Sequence, residues 1–263
     1  MKNISLGLVG EKLEHSISPS IHKMIFDEVG VDRAVYSLFE VEHKDSENIV
    51  SALKILGIRG ANVTIPYKKT VLPQLDSVSE RALEIGAVNT VIIEDGFARG
   101  ENTDYLGLEK VFDKMGIALE GKTVVVLGNG GASKAVQTLL SHKNVSELTV
   151  ISRSDDWFPP YDYLDVISPS DLLINTTPVG MYPNVDDCVV KEDVIKKFKY
   201  AVDLIYNPTE TKFLKMAREN GLIVENGLRM LVYQAIYAQE LWFGTEIGDD
   251  IAERVYEKAK KFF

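Results

Sequence analysis

One cysteine, four histidines and two tryptophans are all that this chain of 263 residues holds of those types. With Cys188 alone, no intramolecular disulfide is possible, and a reducing compartment such as the cytoplasm suits the chain. Its neighbours Asp186 and Asp187 disfavour a thiolate, which makes Cys188 a poor nucleophile. His15, His22, His43 and His142 lack ligand spacing, so no metal is expected. No apolar run approaches the roughly 18 residues that suggest a membrane span. The amino-terminal apolar stretch is cut off by Glu11 and Lys12 without a small-residue cleavage site, and it reads as a buried strand rather than a signal peptide. Internal repeats and low-complexity segments are missing as well.

Basic residues are the minority, 29 against 39 acidic ones, for a formal charge of −10. A nucleic-acid backbone would be repelled, although one local phosphate pocket stays compatible with that total. The chain is 45% apolar and 26% charged, an ordinary globular balance that excludes a disordered or fibrous protein. Its length suits one large domain or two modest ones.

Short β-branched runs alternate with amphipathic stretches from end to end. The pattern predicts strands over 5–9, 34–39, 61–64, 88–93, 123–127, 148–152, 172–175, 201–204 and 223–225. Helical spacing covers 20–29, 46–56, 107–115, 132–141, 211–220, 228–243 and 249–262. Such alternation implies an α/β fold with largely parallel sheets and helices on both faces. Glu94-Asp95-Gly96 predicts one antiparallel hairpin with 97–99. A boundary falls near Tyr105–Gly121, and the last two helices, left over after a complete second sheet, are expected to return to the first domain. The domains are thus placed at 1–104 with 228–263, and at 105–227.

Val124-Val125-Val126-Leu127-Gly128-Asn129-Gly130-Gly131-Ala132-Ser133 is a buried strand, a glycine turn and a helix start. Glycines let a pyrophosphate approach the backbone amides, and the helix amino terminus supplies partial positive charge. Ser133 takes the third fingerprint position and is small enough for close helix–strand packing. Strand before and helix after are the context a dinucleotide fingerprint requires. The next strand runs into Ser152-Arg153-Ser154-Asp155-Asp156. Arg153 with two flanking hydroxyls suits a 2′-phosphate and favours NADP(H), whereas Asp155 and Asp156 pull toward NAD(H).

The first half carries polar clusters where a core-building sequence would not put them. Ser16 and Ser18, two residues apart in an extended loop, would present two hydroxyls to one carboxylate; alternatively Ser18-Pro19 is a helix start. Asn62, Thr64 and Lys68 are expected to point into the crevice at a strand's carboxyl end. Asn89-Thr90 and Asn102-Thr103-Asp104 set amides and hydroxyls beside small residues, as recognition of a hydroxylated ligand requires. Lys68 and Asp104 form the natural acid/base pair for oxidising an alcohol. A free lysine, with a pKa of about 10.4, is almost wholly protonated at neutral pH; desolvation lowers that pKa and a nearby aspartate raises it. Lys68 therefore serves either as proton donor or as a charge polarising a carbonyl while Asp104 shares the proton.

Taken together, these motifs resemble those of the shikimate dehydrogenase family. The resemblance covers nearly the whole chain, through Ser16-x-Ser18, Asn62-Val63-Thr64-x-Pro66-x-Lys68, Gly86-Ala87-Val88-Asn89-Thr90 and Asn102-Thr103-Asp104. It continues through Gly128-x-Gly130-Gly131-Ala132, Asn175-Thr176-Thr177-Pro178-x-Gly180-Met181, Asp203-x-x-Tyr206-x-Pro208-x-x-Thr211 and Asn226-Gly227-x-x-Met230-Leu231-x-x-Gln234. It implies an amino-terminal α/β substrate domain, a Rossmann-type domain, a cleft separating them, and reversible NADPH-dependent reduction of 3-dehydroshikimate to shikimate on the route to aromatic amino acids.

By the same resemblance, Ser16 and Ser18 would bind the substrate carboxylate with Tyr206 close by, and Thr64, Asn89 and Gln234 would bind ring hydroxyls. Lys68 and Asp104 would be catalytic. Gly128, Asn129, Gly130, Gly131 and Ala132 would hold the pyrophosphate, and Ser152, Arg153 and Ser154 the adenosine end. Leu204 and the backbone at Gly227 would meet the nicotinamide, and Glu80 falls where the family has an acid near the cofactor. The chain departs from the family at Trp157, where NADP-specific members carry a second basic residue, and at Tyr105, which replaces a glycine and would reshape the mouth of the site. The segment 157–164 is short and proline-interrupted, which would reduce a helix usual there. Two other readings are a quinate/shikimate dehydrogenase using NAD and a non-catalytic dinucleotide sensor; retained Lys68 and Asp104 argue against the sensor. The expected partners are the small substrate and the cofactor, with neither nucleic acid nor membrane, in a monomer or homodimer.

Overall fold

The computed structural model describes residues 3–153 and 158–262. The chain divides into two compact units, one running to Gly107 and resumed by Val232–Ala259, the other formed by Leu108–Leu231 with the residues after Ala259.

The first unit opens with β1 (Ile4–Gly10), α1 (Ser18–Val29), β2 (Ala34–Glu40), α2 (Ile49–Ile55) and β3 (Gly60–Val63). It continues with β4 (Ser77–Val78), α3 (Glu80–Ile85), β5 (Thr90–Glu94), β6 (Phe97–Glu101) and the start of α4 (Thr103–Met115). The six strands lie in the order β2-β1-β3-β5-β6-β4. β1 pairs in parallel with β2 and β3, while β5 runs antiparallel to both β3 and β6. The expected hairpin over Asp95-Gly96 is therefore present, and it makes this sheet mixed.

The second unit carries β7 (Thr123–Leu127), α5 (Gly131–His142), β8 (Glu147–Ile151), α6 (Tyr163–Val166), β9 (Leu172–Asn175) and α7 (Glu192–Ile195). Next come β10 (Tyr200–Asp203), α8 (Lys212–Glu219) and β11 (Ile223–Glu225). Its five strands follow the order β11-β10-β9-β7-β8, and every pair is parallel. Parallel strands covered on both faces read as continuous apolar runs, which is why β7 and β9 are legible in the sequence. The helix in the proline-interrupted segment is reduced to the single turn α6.

The chain ends in α9 (Gly227–Phe243) and α10 (Asp249–Ala259). From Val232 onward these helices belong to the first unit. Trp242 of α9 is fully buried and donates from Nε1 to the Val91 carbonyl at 3.0 Å. The indole lies flat against β3, because a Cβ on Gly60 would stand 2.1 Å from Trp242 Nε1. Glycine at that position is what lets the carboxyl-terminal helix close over the sheet.

Candidate active site

Strand direction gathers the polar clusters of the first unit. β1 and β3 are parallel neighbours in register Val9↔Val63, so the loops that follow them, with Ser16, Ser18, Thr64 and Lys68, leave from the same edge. β5 is antiparallel to β3 and β6, which brings its amino end, at Asn89 and Thr90, to their carboxyl ends. Asn102, Thr103 and Asp104 follow β6 at that edge.

Lys68 Nζ lies 2.5 Å from Asp104 Oδ2, and the two side chains are 18% and 11% exposed. Both partners are fixed from behind. The Lys68 carbonyl accepts from the Val88 N–H at 2.8 Å. Asn102 caps α4, since its Oδ1 accepts from the Tyr105 N–H at 3.2 Å while its amide donates to the Ala87 carbonyl at 2.9 Å. Asp104 thus sits in the first turn of α4, where the helix dipole favours a carboxylate. An ammonium held against a carboxylate, nearly out of water, can hand a proton to an oxygen and keep its charge balanced.

Asn89 is 2% exposed, and its carbonyl oxygen accepts from Thr103 N–H at 2.7 Å and from Thr90 Oγ1 at 3.0 Å. Ser16 Oγ and Ser18 Oγ are 3.1 Å apart and hydrogen-bonded. Ser18 is the first residue of α1 rather than its cap, which is Ile17. Thr64 is partly exposed just past β3 and packs against Gly10, where an added Cβ would meet it at 2.7 Å.

Asn62 corrects the expectation that it faces the crevice. It is 5% exposed and turned inward, accepting from Tyr36 Oη at 2.8 Å and His22 Nε2 at 3.1 Å, and donating to Thr90 Oγ1 at 3.1 Å. His22 accepts at Nδ1 from Gln239 at 3.1 Å, so Nε2 carries the proton. Burial pushes the His22 pKa down to about 3, with the Asn62 bond opposing only in part. Tyr105 is 7% exposed with the Arg81 guanidinium 5.2 Å above its ring, and Arg81 reaches Glu101 at 3.4 Å. Glu80, the exposed first residue of α3, follows the Ser79 cap, and Gln234 on α9 is 8% exposed.

In the second unit strand order reverses at β7, which has β8 on one side and β9 on the other. Ligands of open α/β sheets bind at such a reversal, beyond the carboxyl ends of the strands. The glycine turn is there. Gly128 has φ +98°, and a Cβ on it would meet Thr176 Oγ1 of the neighbouring loop at 2.8 Å. A Cβ on Gly130 or Gly131 would meet nothing within 4 Å, so the turn is open above the start of α5. Gly130 is the cap of that helix and makes no side-chain cap bond, and the first turn carries no acid. Ser133 Oγ donates back to the Gly128 carbonyl at 2.7 Å, and Gln137 donates to Asn129 Oδ1 at 3.2 Å, which fixes the turn. Open glycines before a helix start fit a pyrophosphate.

Past β8, Ser152 is 4% exposed, while Arg153 is exposed with its guanidinium 6.0 Å from the Tyr161 ring centre. Ser154, Asp155, Asp156 and Trp157, on which part of the cofactor reading rests, lie outside the described residues. Beyond β10, Leu204 and Gly227 are in contact, for a Cβ on Gly227 would stand 2.0 Å from the Leu204 carbonyl oxygen. Asp203 is fully buried and receives Thr211 Oγ1 at 2.6 Å, Asn175 Nδ2 at 3.0 Å and the Ile205 N–H at 3.1 Å. Burial pushes its pKa up to about 6 against those three donors. Tyr206 is partly buried, which raises its hydroxyl pKa. Burial likewise raises the Cys188 thiol. Among the described residues, no group of three or more His, Cys, Asp or Glu side chains could hold a metal, and no helix is long and apolar enough to cross a membrane.

Residues 8–91 match the family model described as "Shikimate dehydrogenase substrate binding domain". A curated relative from Clostridium perfringens, named shikimate dehydrogenase (NADP(+)), is 46% identical over 97% of this chain and 97% of its own. The chain belongs to the shikimate dehydrogenase family. Among solved structures, a chorismate mutase/shikimate 5-dehydrogenase fusion protein from Clostridium acetobutylicum superposes with a TM-score of 0.96 at 40% identity, covering 100% of this chain and 99% of that one. Shikimate 5-dehydrogenase from Thermus thermophilus, solved in complex with NADP(H) and shikimate, gives a TM-score of 0.86 at 29% identity over 97% and 99% of the two chains.

Proposed function

We propose that this chain catalyses the reversible, NADP(H)-linked reduction of 3-dehydroshikimate to shikimate, a step in making aromatic amino acids. The observation that carries the reading is the Lys68–Asp104 pair at 2.5 Å, set at the sheet edge where the other polar clusters converge. The bound cofactor supplies or accepts the hydride. Reduction of a ketone also needs one proton at its oxygen, and Lys68 Nζ is the group that delivers it. Asp104 holds the ammonium in place, and the lysine regains its proton from water. In the reverse direction Lys68 receives the hydroxyl proton as hydride leaves.

Ser16 and Ser18 take the carboxylate, each with a hydroxyl to turn toward it, and Tyr206 is assigned to the same ligand. Thr64, Asn89 and Gln234 take ring hydroxyls. Gly128–Ala132 receives the pyrophosphate, Ser152–Ser154 the adenosine phosphate end, and Leu204 with the Gly227 backbone the nicotinamide. Glu80, exposed at the start of α3, is assigned beside the cofactor. NADP(H) is preferred to NAD(H) on Arg153 and on the name of the C. perfringens relative. Substrate and cofactor are the partners we assign, with no nucleic acid, and the lone Cys188 suits the cytoplasm.

The test compares steady-state rates with shikimate and quinate, each with NADP and NAD, in the native chain and in Lys68→Ala. Shikimate with NADP should be the preferred pair, and Lys68→Ala should lower kcat by about 10²-fold or more while shikimate binding persists. A quinate and NAD preference overturns the substrate reading. Binding of NADPH without turnover of 3-dehydroshikimate overturns the enzymatic one.

A further inference from the structure

An asparagine followed by glycine is prone to lose its side-chain amide, because glycine has no Cβ to shield the backbone nitrogen that attacks it. Three such pairs occur in this chain: Asn129-Gly130, Asn220-Gly221 and Asn226-Gly227. Attack needs the glycine N–H released from any acceptor, and the structure holds two of the three. Gly221 N–H donates to the Arg218 carbonyl at 3.0 Å, and Asn220 Nδ2 to the Met216 carbonyl at 2.9 Å, where α8 ends. Gly227 N–H donates to the Ile205 carbonyl at 3.0 Å. Asn226 donates to the Thr209 carbonyl at 2.8 Å and accepts from the Leu228 N–H at 3.0 Å.

The pair in the glycine turn differs. Gly130 is exposed, and among the described residues no acceptor takes its N–H. A Cβ there would meet nothing within 4 Å, so nothing crowds the nitrogen. As the cap of α5 it stands at the positive end of a helix, which favours the nitrogen once its proton has gone. Asn129 Oδ1 accepts from Gln137 Nε2 at 3.2 Å. A donor on that oxygen draws charge from Cγ and stabilises the oxyanion formed on attack.

We propose that Asn129 is a site of spontaneous deamidation which bound dinucleotide guards; the guarding rests on the assignment of Gly128–Ala132 to the pyrophosphate. The Gly130 nitrogen gives up its proton and bonds to Asn129 Cγ, closing a succinimide ring. The Cγ–Nδ2 bond breaks, and ammonia leaves with that proton. Water then opens the ring at either carbonyl and leaves aspartate or isoaspartate. Either product sets a carboxylate where the pyrophosphate is received, and isoaspartate also lengthens the turn by one backbone carbon. Chains left without cofactor therefore lose the means to rebind it.

Peptide mapping by mass spectrometry tests this on the cofactor-free native chain in mildly alkaline buffer, with the urea-unfolded chain as reference. All three pairs should convert in urea. In the native chain Asn129 should convert at a rate close to that reference, and Asn220 and Asn226 far more slowly. NADPH at about 100 times its dissociation constant leaves about one chain in 100 unoccupied and should slow conversion of Asn129 about 100-fold. Asn129→Asp should bind NADPH about tenfold or more weakly in fluorescence titration, since like charges are brought together. Native Asn129 as resistant as Asn220 and Asn226 overturns the proposal. Conversion of Asn129 that NADPH leaves unslowed, or native NADPH affinity in Asn129→Asp, instead overturns the placing of the pyrophosphate at this turn, while the modification site stands.

Discussion

The side chain of Asn89 grips Thr103 at two points: its carbonyl oxygen accepts from the Thr103 N–H at 2.7 Å, and its amide donates to Thr103 Oγ1 at 3.1 Å. Thr103 begins α4, and Asp104 is the next residue. Asn89 therefore sets the start of the helix that carries the partner of Lys68, in addition to the ligand role assigned to it. Asn89→Ala leaves a buried N–H without its acceptor, a cost of about 1–3 kcal/mol. We expect that loss in urea unfolding, together with a fall in kcat as Asp104 loses its placement. Unchanged stability, with only KM for shikimate raised, would show that Asn89 is a ligand contact and no more.

Gly227 is tied to Leu204 by space rather than by bonding, with 2.0 Å between a hypothetical Cβ and the Leu204 carbonyl oxygen. Its own N–H donates to the Ile205 carbonyl at 3.0 Å, so the loop after β10 and the start of α9 move as one. Gly227→Ala must push that backbone apart, an overpacking cost of about 1–3 kcal/mol. If Leu204 and Gly227 meet the nicotinamide, NADPH affinity measured by fluorescence titration should fall about tenfold or more, which corresponds to at least about 1.4 kcal/mol. Affinity equal to the native protein's would remove both residues from the cofactor site.

How far these relationships were legible in the sequence depended on where each residue lies in its sheet. The strand–turn–helix around Gly128 was readable because apolar runs and glycines are local signals. The Lys68 and Asp104 pairing came from chemistry, and their contact is made by the antiparallel β5 lying between the strands that carry them. Asn62 was misplaced because alternation assumes one wet face, whereas all four residues of β3 are buried. The network of His22, Tyr36 and Gln239 behind it joins residues up to 217 positions apart, beyond any local pattern. β4 is too short to show a period, but α3 had a signal to be found: Ser79, whose Oγ caps the Ala82 N–H at 3.1 Å.

Arg153 tests cofactor choice directly. It is exposed, with its guanidinium 6.0 Å from the Tyr161 ring centre, and it is the charged group assigned to a 2′-phosphate. A charge-assisted hydrogen bond is worth about 1.5–3 kcal/mol. Arg153→Ala should raise KM for NADP by about 10–100-fold and leave KM for NAD nearly unchanged. Arg153→Lys should restore only part of the loss, since a point charge replaces a planar fork that also stacks on the ring. Equal effects on both cofactors would assign Arg153 to the shared part of the dinucleotide.

His22 and Asp203 give the two units opposite responses to acid. The folded-state pKa of His22 is lowered by burial from 6.5 to about 3. Between those values the unfolded chain binds a proton that the folded chain does not, so this contribution is present above pH 6.5 and is lost as pH falls toward 3. Asp203 is raised by burial from 3.8 to about 6, against its hydrogen bonds from Thr211, Ile205 and Asn175. Here the folded chain holds the extra proton, and the contribution is present below pH 3.8 and lost as pH rises through 6. Each tenfold change in an acid constant corresponds to about 1.4 kcal/mol; between about pH 4.5 and 6 the two slopes oppose each other, so each is read in urea unfolding as the difference between the native chain and a variant lacking one of the groups. His22→Gln should flatten the rise of stability with pH in the first unit, and Asp203→Asn should remove the decline in the second. If both variants keep the native pH slope, neither group is held in the protonation state described.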